Sequence, residues 1–255
     1  MKIVFCGFGR AGLECFYQLI NSLNVELENI VVFTHEAEEN SEFITHLNNN
    51  NVTYFLDSVN KHYEYLYDFK VDLLLSVYYR FIIKSEILKL VKYKAMNLHP
   101  SLLPAYRGTK SSVWALLNKE KETGISFHYI TEEVDDGNII LQKKIDILDN
   151  DTAYSLYNKL ISVFIQNFPE ALHRLLNNYV GKKQIGKVSY HKRELPFNGE
   201  KIFNEITYSE AKQFVKAMYF PPYKGAFFSS RNHEKVEVKT VKELDNYKTL
   251  FKKIK

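Results

Sequence analysis

The chain has 255 residues, a length that fits one or two domains. Because 45% of its residues are apolar and 25% are charged, it can bury a full-sized core, which excludes intrinsic disorder as its main state. Its 34 basic and 30 acidic side chains give a net charge of +4, too small a surplus to predict a nucleic-acid partner, although small anionic ligands remain compatible with it.

Cysteine use and hydropathy predict the compartment. Cys6 and Cys15 form neither a CxxC pair nor a disulfide framework, so we expect two reduced thiols without a chemical role. The apolar run at the N-terminus is too short for a signal peptide, and no later run approaches the roughly 18 apolar residues of a spanning helix. We therefore expect a cytoplasmic protein with no membrane partner.

The first half of the chain alternates strand-like and helix-like segments. Strands are predicted at residues 2–6, 30–34, 71–78 and 95–99, and helices at 13–20, 82–92 and 111–118. This β-α-β-α order predicts an α/β fold with a doubly wound, mostly parallel sheet.

The second half begins with two strands, at residues 124–130 and 139–145, joined by an acidic turn. A long amphipathic helix follows, with Asp151 or Thr152 as its N-cap. A polar, glycine-containing segment then predicts a domain boundary near residue 190. We expect a main domain over residues 1–190 and a small α+β appendage over 191–255, with a helix at 209–218 and a strand at 235–241.

A glycine motif lies between the first strand and the first helix. Gly7, Gly9 and Gly12 match GxGxxG, and Glu36 stands where a dinucleotide-binding protein would hold its ribose. The alternative is that the glycines serve only the turn and close packing of the helix. The motif alone does not choose between the two readings.

The residues that point to chemistry lie further on. Asn97 and His99 end a predicted strand and face the same way, at the edge of the sheet where ligands bind in open α/β proteins. Asp135, in the acidic turn, can approach His99 and orient its imidazole. An amide, an imidazole and a carboxylate together suit acyl transfer, although Asn97 and His99 could instead satisfy loop backbone groups. His128 alternates with apolar neighbours, and we expect it to be structural.

Direct acyl transfer is favoured over a covalent intermediate. The sequence contains no GxSxG elbow and no reactive cysteine, and it has neither HExxH nor a clustered Cys/His set, so we expect no metal site.

The order NLHPSLLPAYRG, SSVWALLN, KETGISFHYI and EEVDDGNIILQ resembles the formyltetrahydrofolate-dependent N-formyltransferases over residues 1 to about 180. The resemblance implies a Rossmann-like main domain, with 10-formyltetrahydrofolate as co-substrate and no NAD. It also implies a catalytic trio of Asn97, His99 and Asp135. The residues that the resemblance assigns to the folate are Tyr78, Tyr79, Arg80, Phe81, Ile82 and Asp136.

The C-terminal part resembles the nucleotide-sugar members of that family, because residues 191–255 are too few for the tRNA-binding domain of methionyl-tRNA formyltransferases. This implies an amino sugar on a nucleoside diphosphate, dTDP-4-amino-4,6-dideoxyglucose first and GDP-perosamine second, used for surface polysaccharide or O-antigen. It also implies a homodimer that binds no nucleic acid. Candidate substrate contacts are Arg107, Gly108, Thr109, Lys110, Tyr219, Phe220, Tyr223 and Lys224.

Three rival functions stay open at this point. A methionyl-tRNA formyltransferase-like enzyme would need a broad basic face. An NAD(P)-dependent oxidoreductase would depend on the glycine motif. A non-catalytic ligand sensor could keep the fold without the reaction.

Overall fold

A computed structural model describes residues 1–92, 94–230 and 233–253 of the chain. Its strands are β1 (Ile3–Gly7), β2 (Ile30–Phe33), β3 (Thr53–Phe55), β4 (Leu73–Val77), β5 (Lys94–His99), β6 (Arg107–Gly108), β7 (Glu122–Tyr129), β8 (Ile139–Asp146), β9 (Tyr190–His191), β10 (Glu200–Ile202), β11 (Ala226–Ser230) and β12 (His233–Val238). Its helices are α1 (Gly9–Leu23), α2 (Ser41–Asn49), α3 (Tyr63–Phe69), α4 (Ser85–Leu88), α5 (Ser111–Leu117), α6 (Ala153–Leu176), α7 (Tyr208–Met218) and α8 (Val241–Leu244).

The central sheet has seven strands in the order β3-β2-β1-β4-β5-β7-β8. The first five strands of that order run parallel, whereas β7 is antiparallel to both β5 and β8. The predicted α/β fold with a mostly parallel sheet is confirmed. The carboxyl ends of β4 and β5 therefore lie side by side, and β7 returns along β5.

Both faces of this sheet are buried, which explains the continuous apolar runs of its inner strands. Ile3 and Phe5 of β1 join the core beneath α1 and α6, while Val4 and Cys6 face α3 and α4 on the other side. Successive side chains of a strand point to opposite faces, so one short strand supplies both cores.

The start of α6 is fixed by the predicted cap. The Oγ1 of Thr152 accepts a hydrogen bond from the Ser155 backbone N–H at 3.1 Å, and Ser155 Oγ accepts one from the Thr152 N–H at 3.0 Å. Asp151 supports the same turn, since its carboxylate accepts from Ser155 Oγ and Lys159 Nζ. The long helix closes over β7 and β8 and brings Tyr157 beside the end of β4.

The helix predicted over residues 82–92 is wrong in extent, because only Ser85–Leu88 is helical. Asn60 explains the late start: its Nδ2 donates to the Ile82 carbonyl at 2.8 Å and its Oδ1 accepts from the Lys84 N–H at 2.9 Å. At the other end, the Lys92 N–H already donates to the Val71 carbonyl on the way into β5. The segment is tied to its neighbours at both ends and cannot extend its helix.

The C-terminal part builds a separate sheet of order β10-β11-β12. Helix α7 packs against α5 and α6, and the core continues from the main sheet to Phe203, Phe214 and Phe228. Strand β9 pairs with β6, so the first residue beyond the predicted boundary at 190 contacts the main domain. The division at that residue remains a prediction. Within the described ranges, no helix is long and apolar enough to cross a membrane.

Candidate active site

The polar ends of two paired strands form the centre of the site. Asn97 on β5 lies opposite His128 on the antiparallel strand β7, and His99 lies opposite Ser126. The loop that joins β7 to β8 carries Asp135 back over this pair. Polar side chains from three sequence segments therefore meet at the carboxyl edge of β5.

Asp135 is the hub of these contacts, and its side chain is only 10% exposed. Its Oδ2 accepts a hydrogen bond from the Gly108 backbone N–H at 2.8 Å and lies 3.3 Å from His99 Nδ1. Its Oδ1 lies 3.4 Å from both Asn97 Nδ2 and His128 Nε2. The structure thus brings together the three residues that the sequence singled out and adds a second histidine.

A backbone carbonyl fixes the orientation of the His99 ring. Its Nε2 lies 2.7 Å from the Tyr106 carbonyl, which can only accept, so Nε2 carries a proton and Nδ1 faces Asp135. Burial lowers the pKa of His99 most strongly, while the Asp135 carboxylate and the Tyr106 hydrogen bond act in the opposite direction. Both ring nitrogens have protein partners, and the ring is 4% exposed, so His99 can act on a substrate only through Asp135.

Asp135 stays ionised in this setting. Burial alone would raise the pKa of Asp135, but its interactions with His99, His128 and the Gly108 N–H bring it down to about 2. A carboxylate with so low a pKa is a stable acceptor of hydrogen bonds.

His128 is the site residue that the sequence interpretation missed. It is buried, as expected, but its Nδ1 donates to the Tyr129 carbonyl at 2.8 Å, which leaves Nε2 as an acceptor for Asn97 Nδ2 at 3.2 Å. This fixes the Asn97 amide with its NH₂ toward Asp135 and its oxygen away from it. The only signal for this role was its strand position opposite Asn97, which requires knowledge of the pairing register.

The predicted folate residues follow β4 and point in different directions. Tyr78 has a φ of 56° and packs edge-on against Tyr157 and Phe164 on one side of the sheet. Tyr79 points to the other side, where its hydroxyl accepts from the Val59 N–H and donates to the Asp57 carbonyl. Tyr79 therefore anchors this loop to the segment before α3.

The remaining residues of the loop are more open. Arg80 is exposed, with its guanidinium 5.3 Å from the Phe81 ring centre, and Phe81 meets the edge of His35 at 6.3 Å. The Ile82 side chain is 67% exposed, and its carbonyl accepts from Asn60. Arg80 and Phe81 thus offer a charge and a ring beside the end of β4.

Arg107 and Asp136 form an ion pair in which Arg107 is mostly buried and Asp136 is half exposed. The NH2 group of Arg107 lies 2.5 Å from Asp136 Oδ1 and donates to Gln184 Oε1 at 2.7 Å. The charges of Arg107 and Asp136 are thus paired with each other, and their contacts with the substrate and the folate remain predictions. Gly108, a candidate substrate contact, donates its backbone N–H to Asp135.

Thr109 and Lys110 lie beside the segment that follows β9. Thr109 Oγ1 donates to the Lys192 carbonyl at 2.7 Å, and its N–H donates to the His191 carbonyl. Half-burial and the nearby positive charge of Arg193 lower the pKa of Lys110. Arg193 was not among the predicted residues, and only the folded return of β9 reveals it.

A basic cluster connects this segment to the folate loop. Burial and then the charges of Arg80 and Arg193 lower the pKa of His35, while Glu39 raises it. His35 stacks on Phe8 with ring centres 4.2 Å apart. Arg80 and Arg193, from two segments, therefore lie near His35, and Lys110 lies near Arg193.

A row of aromatic rings joins the end of β4 to the C-terminal part. Tyr157 contacts Tyr78 at 5.5 Å and Phe220 at 5.1 Å between ring centres, and Phe220 contacts Tyr223 at 6.1 Å. Tyr223 is 65% exposed at the end of the row. Burial, Glu39 and Tyr223 raise the pKa of Tyr157 to about 12, so its hydroxyl stays neutral.

Two further predicted contacts lie at the margin of this row. The Tyr219 carbonyl accepts from the Tyr154 N–H, and so takes part in joining α6 to the end of α7. The Lys224 Nζ lies 6.0 Å from the Phe227 ring centre, over β11 of the smaller sheet.

The glycine turn has a structural role. The Gly9 N–H, which would face a pyrophosphate in a dinucleotide site, donates to Oδ1 of the fully buried Asn40 at 2.7 Å. Asn40 Nδ2 in turn donates to Thr34 Oγ1 and the His35 carbonyl, both at 2.7 Å. A Cβ at Gly12 would lie 3.1 Å from the Gly7 carbonyl carbon, so this glycine permits close packing of α1 on β1.

Among the described residues, no group of three or more His, Cys, Asp or Glu side chains could hold a metal ion. Cys6 and Cys15 are buried and free, and burial raises the pKa of both thiols.

Comparisons with known proteins identify the family of this chain. Residues 2–172 match the family described as formyl transferase. The chain is 35% identical to GDP-perosamine N-formyltransferase of Brucella melitensis over 258 residues, which cover 99% of this chain and 96% of the relative.

Solved structures share the fold. A 4-N formyltransferase from Francisella tularensis superposes with a TM-score of 0.77 at 24% identity, covering 93% of this chain and 96% of that one. An N-formyltransferase from Helicobacter canadensis, in complex with folinic acid and dTDP-3-aminofucose, gives a TM-score of 0.73 at 23% identity, covering 91% and 84% of the two chains. The match of residues 2–172 and the full-length relative show that this chain belongs to the formyl transferase family and is a formyltransferase.

Proposed function

We propose that this enzyme transfers the formyl group of 10-formyltetrahydrofolate to the amine of GDP-perosamine. The observation that carries this proposal is the 35% identity to a GDP-perosamine N-formyltransferase over 99% of the chain. That alignment includes the part beyond residue 172, which lies outside the family match and in which we expect the acceptor to be distinguished. It favours the GDP sugar over dTDP-4-amino-4,6-dideoxyglucose, which the sequence interpretation placed first.

The proposed reaction is direct transfer. The neutral sugar amine attacks the formyl carbon, a tetrahedral oxyanion forms, and collapse breaks the bond between that carbon and N10 of the folate. The amine loses one proton, N10 gains one, and the products are the formamide and tetrahydrofolate.

Asn97 is the donor best placed for the oxyanion, because it is half-buried whereas His99 is almost fully covered. Its Nδ2 now donates to His128 at 3.2 Å and to Asp135 at 3.4 Å, and the longer bond is the one to exchange for the substrate oxygen. His99 is not assigned to the oxyanion, because both of its ring nitrogens have protein partners.

Asp135 is the acceptor for the proton that the amine loses. The pair that it forms with His99 provides a place for this proton, because Nδ1 of the imidazole lies 3.3 Å from the carboxylate. His99 is held in position for this step by the Tyr106 carbonyl.

The basic cluster suits the diphosphate of the nucleotide. Arg80, Lys110 and Arg193 lie close enough to one another or to His35 to affect their pKa values. Arginine forms paired hydrogen bonds to phosphate oxygens, so we assign Arg80 and Arg193 to the diphosphate together with Lys110. Phe220 and Tyr223, in the aromatic row, remain candidates for stacking on a base.

A comparison of acceptors tests the nucleotide assignment. Initial rates with 10-formyltetrahydrofolate should give a higher kcat/KM for GDP-perosamine than for dTDP-4-amino-4,6-dideoxyglucose or a UDP-linked amino sugar. A preference for the dTDP sugar would contradict the assignment while leaving the formyltransferase activity intact. The homodimer, the cytoplasmic location and a role in surface polysaccharide synthesis remain predictions alongside it.

A further inference from the structure

The turn that carries Asp135 needs support from outside itself. Asp135 has a φ of 53°, in the left-handed region that residues with a Cβ rarely adopt. At Gly137, a Cβ would lie 1.9 Å from the Tyr129 carbonyl oxygen, so the turn folds tightly back onto β7. Such a backbone conformation persists only where surrounding contacts hold it.

Gln184 supplies these contacts from the segment between α6 and β9. Its Nε2 donates to the Asp135 carbonyl at 2.7 Å and to the Gly137 carbonyl at 2.9 Å. One side-chain amide thus holds the two carbonyls on either side of Asp136. Both Nε2 protons are used, and both act on the backbone of the turn.

Arg107 sets the direction of that amide. Arg107 Nη2 donates to Gln184 Oε1 at 2.7 Å. The oxygen of the Gln184 amide must therefore face the guanidinium, and the Nε2 of that amide must face the turn. The same Nη2 atom binds Asp136 Oδ1 at 2.5 Å. The Arg107 side chain is 13% exposed, which limits competition from water for these bonds.

The same short strand also holds the carboxylate. Gly108, next to Arg107 on β6, donates its N–H to Asp135 Oδ2 at 2.8 Å. The backbone of the turn and its functional oxygen are therefore positioned by neighbouring residues of one strand, with Gln184 as the connection to the backbone.

We propose that Gln184 is a positioning residue that fixes the Asp135 turn, so that the carboxylate stays in line with Asn97, His99 and the attacking amine. Arg107 acts with it by orienting its amide. This inference rests on the proposed role of Asp135 as proton acceptor. The polar segment after α6 then contributes to the reaction, although the sequence interpretation treated it as a domain boundary.

The test compares Gln184→Ala and Gln184→Glu with wild type and with Ile185→Ala. Ile185 is the adjacent residue and is 88% exposed, so its variant controls for changes in this segment. Because a misplacement of about 1 Å can cost about a hundredfold, we expect both Gln184 variants to lower kcat by about 10- to 100-fold. We expect the KM values of both substrates to change by less than about threefold, because the turn does not supply the main binding contacts. Gln184→Glu keeps the volume and the Arg107 contact, so it remains informative if the alanine variant folds poorly.

A double variant separates positioning from general stability. If Gln184 acts only through Asp135, adding Gln184→Ala to Asp135→Asn should cause little further loss of the residual rate, measured as formamide product by mass spectrometry. An equal fractional loss in both backgrounds, or a wild-type kcat in both Gln184 variants, would overturn the inference.

The pH profile gives an independent readout. Loss of the alignment of Asp135 with His99 should lower the pKa of His99 further, because the Asp135 carboxylate is the first group that raises it, so the acid limb of kcat set by His99 should move to lower pH in Gln184→Ala. An unmoved limb together with lower kcat would indicate a merely structural role and contradict the inference. If Asp135→Asn alone keeps a near-normal rate, the proposed role of Asp135 fails instead, whatever the Gln184 variants do.

Discussion

At the scale of single residues, the site depends on which hydrogen bond of the Asn97 amide can be exchanged for one to the substrate. Its NH₂ donates to His128 and, over a longer distance, to Asp135, so the bond to a substrate oxyanion must come from exchange within this small set. Asn97 thus contacts both His128 and the Asp135 carboxylate.

We predict that Asn97→Ala lowers kcat by about a hundredfold or more, the usual cost of losing one oxyanion donor. Product formation at saturating substrates measures this effect. Asn97→Asp should be at least as slow, because a second carboxylate would face Asp135. A thermal melt of each variant provides the control for folding, and near-normal turnover of Asn97→Ala would exclude Asn97 as the donor.

The pKa shifts predict how stability depends on pH. His99 has a lowered pKa in the folded state, so below its ordinary value of 6.5 the unfolded chain binds more protons and stability falls as the pH falls. Asp135, lowered from 3.8 to about 2, adds a second loss at still lower pH.

We therefore expect the Tm to decrease as the pH drops below 6.5, and to decrease less in His99→Gln, which does not titrate there. Thermal melts at constant ionic strength across this pH range measure the slope of Tm against pH for wild type and for His99→Gln. Equal slopes in both proteins would show that His99 does not contribute to this dependence.

Asn97, His99 and Asp135 could be predicted because a strand end and an acidic turn limit where polar side chains can lie. His128 and Gln184 could not, because each reaches the site through a register or a return of the chain set by tertiary packing. The same holds for Arg107: its charge suited a phosphate, but its partners are Asp136 and Gln184.

At the scale of elements, hydrogen bonds at helix starts determine where several segments become helical. Helices α6 and α7 both begin with reciprocal caps, from Thr152 and Ser155 and from Thr207 and Glu210. The periodicity of the sequence predicted both helices to within a few residues. It failed at 82–92, where Asn60 pins the backbone of Ile82 and Lys84, a tertiary constraint that periodicity does not contain.

The cap of α7 gives a prediction for stability. Thr207 Oγ1 accepts from the Glu210 N–H at 3.2 Å, and the Thr207 N–H donates to the Glu210 carboxylate at 2.7 Å. Thr207→Ala should reduce the free energy of unfolding by about 1 kcal/mol, whereas Thr207→Ser should retain most of it. Urea denaturation measures both variants, and equal losses in the two would contradict a role for the hydroxyl.

At the scale of the whole molecule, the α/β class follows from the alternation of strands and helices, whereas the docking of the C-terminal part does not. Residues of α7 and of the small sheet belong to the same buried cluster as the main sheet. Phe214 lies at this junction, 2% exposed and edge-on to Phe228. The sequence predicted an appendage that does not stand alone, and its continuous core is consistent with that view.

We predict that Phe214→Ala destabilises the chain by about 3–5 kcal/mol and that the loss is sensed in the main domain. Trp114, the single tryptophan, lies on α5, a main-domain helix that packs against α7, and its ring stacks on His191 with ring centres 4.3 Å apart, so its fluorescence reports on α5 and that contact. The urea midpoint measured by Trp114 fluorescence and the midpoint measured by circular dichroism should shift together. A Trp114 midpoint that stays at the wild-type value would show that the two parts unfold independently. Leu148→Ala, at a 53% exposed side chain, is the matched control.

The most direct test of the central claim is the product of a reaction with 10-formyltetrahydrofolate and GDP-perosamine. With wild-type enzyme we predict that the sugar nucleotide gains one formyl group on its amine, seen by mass spectrometry, and that Asp135→Asn nearly abolishes this gain. An unmodified amine after incubation with folded wild-type enzyme, or full formylation by Asp135→Asn, would contradict it.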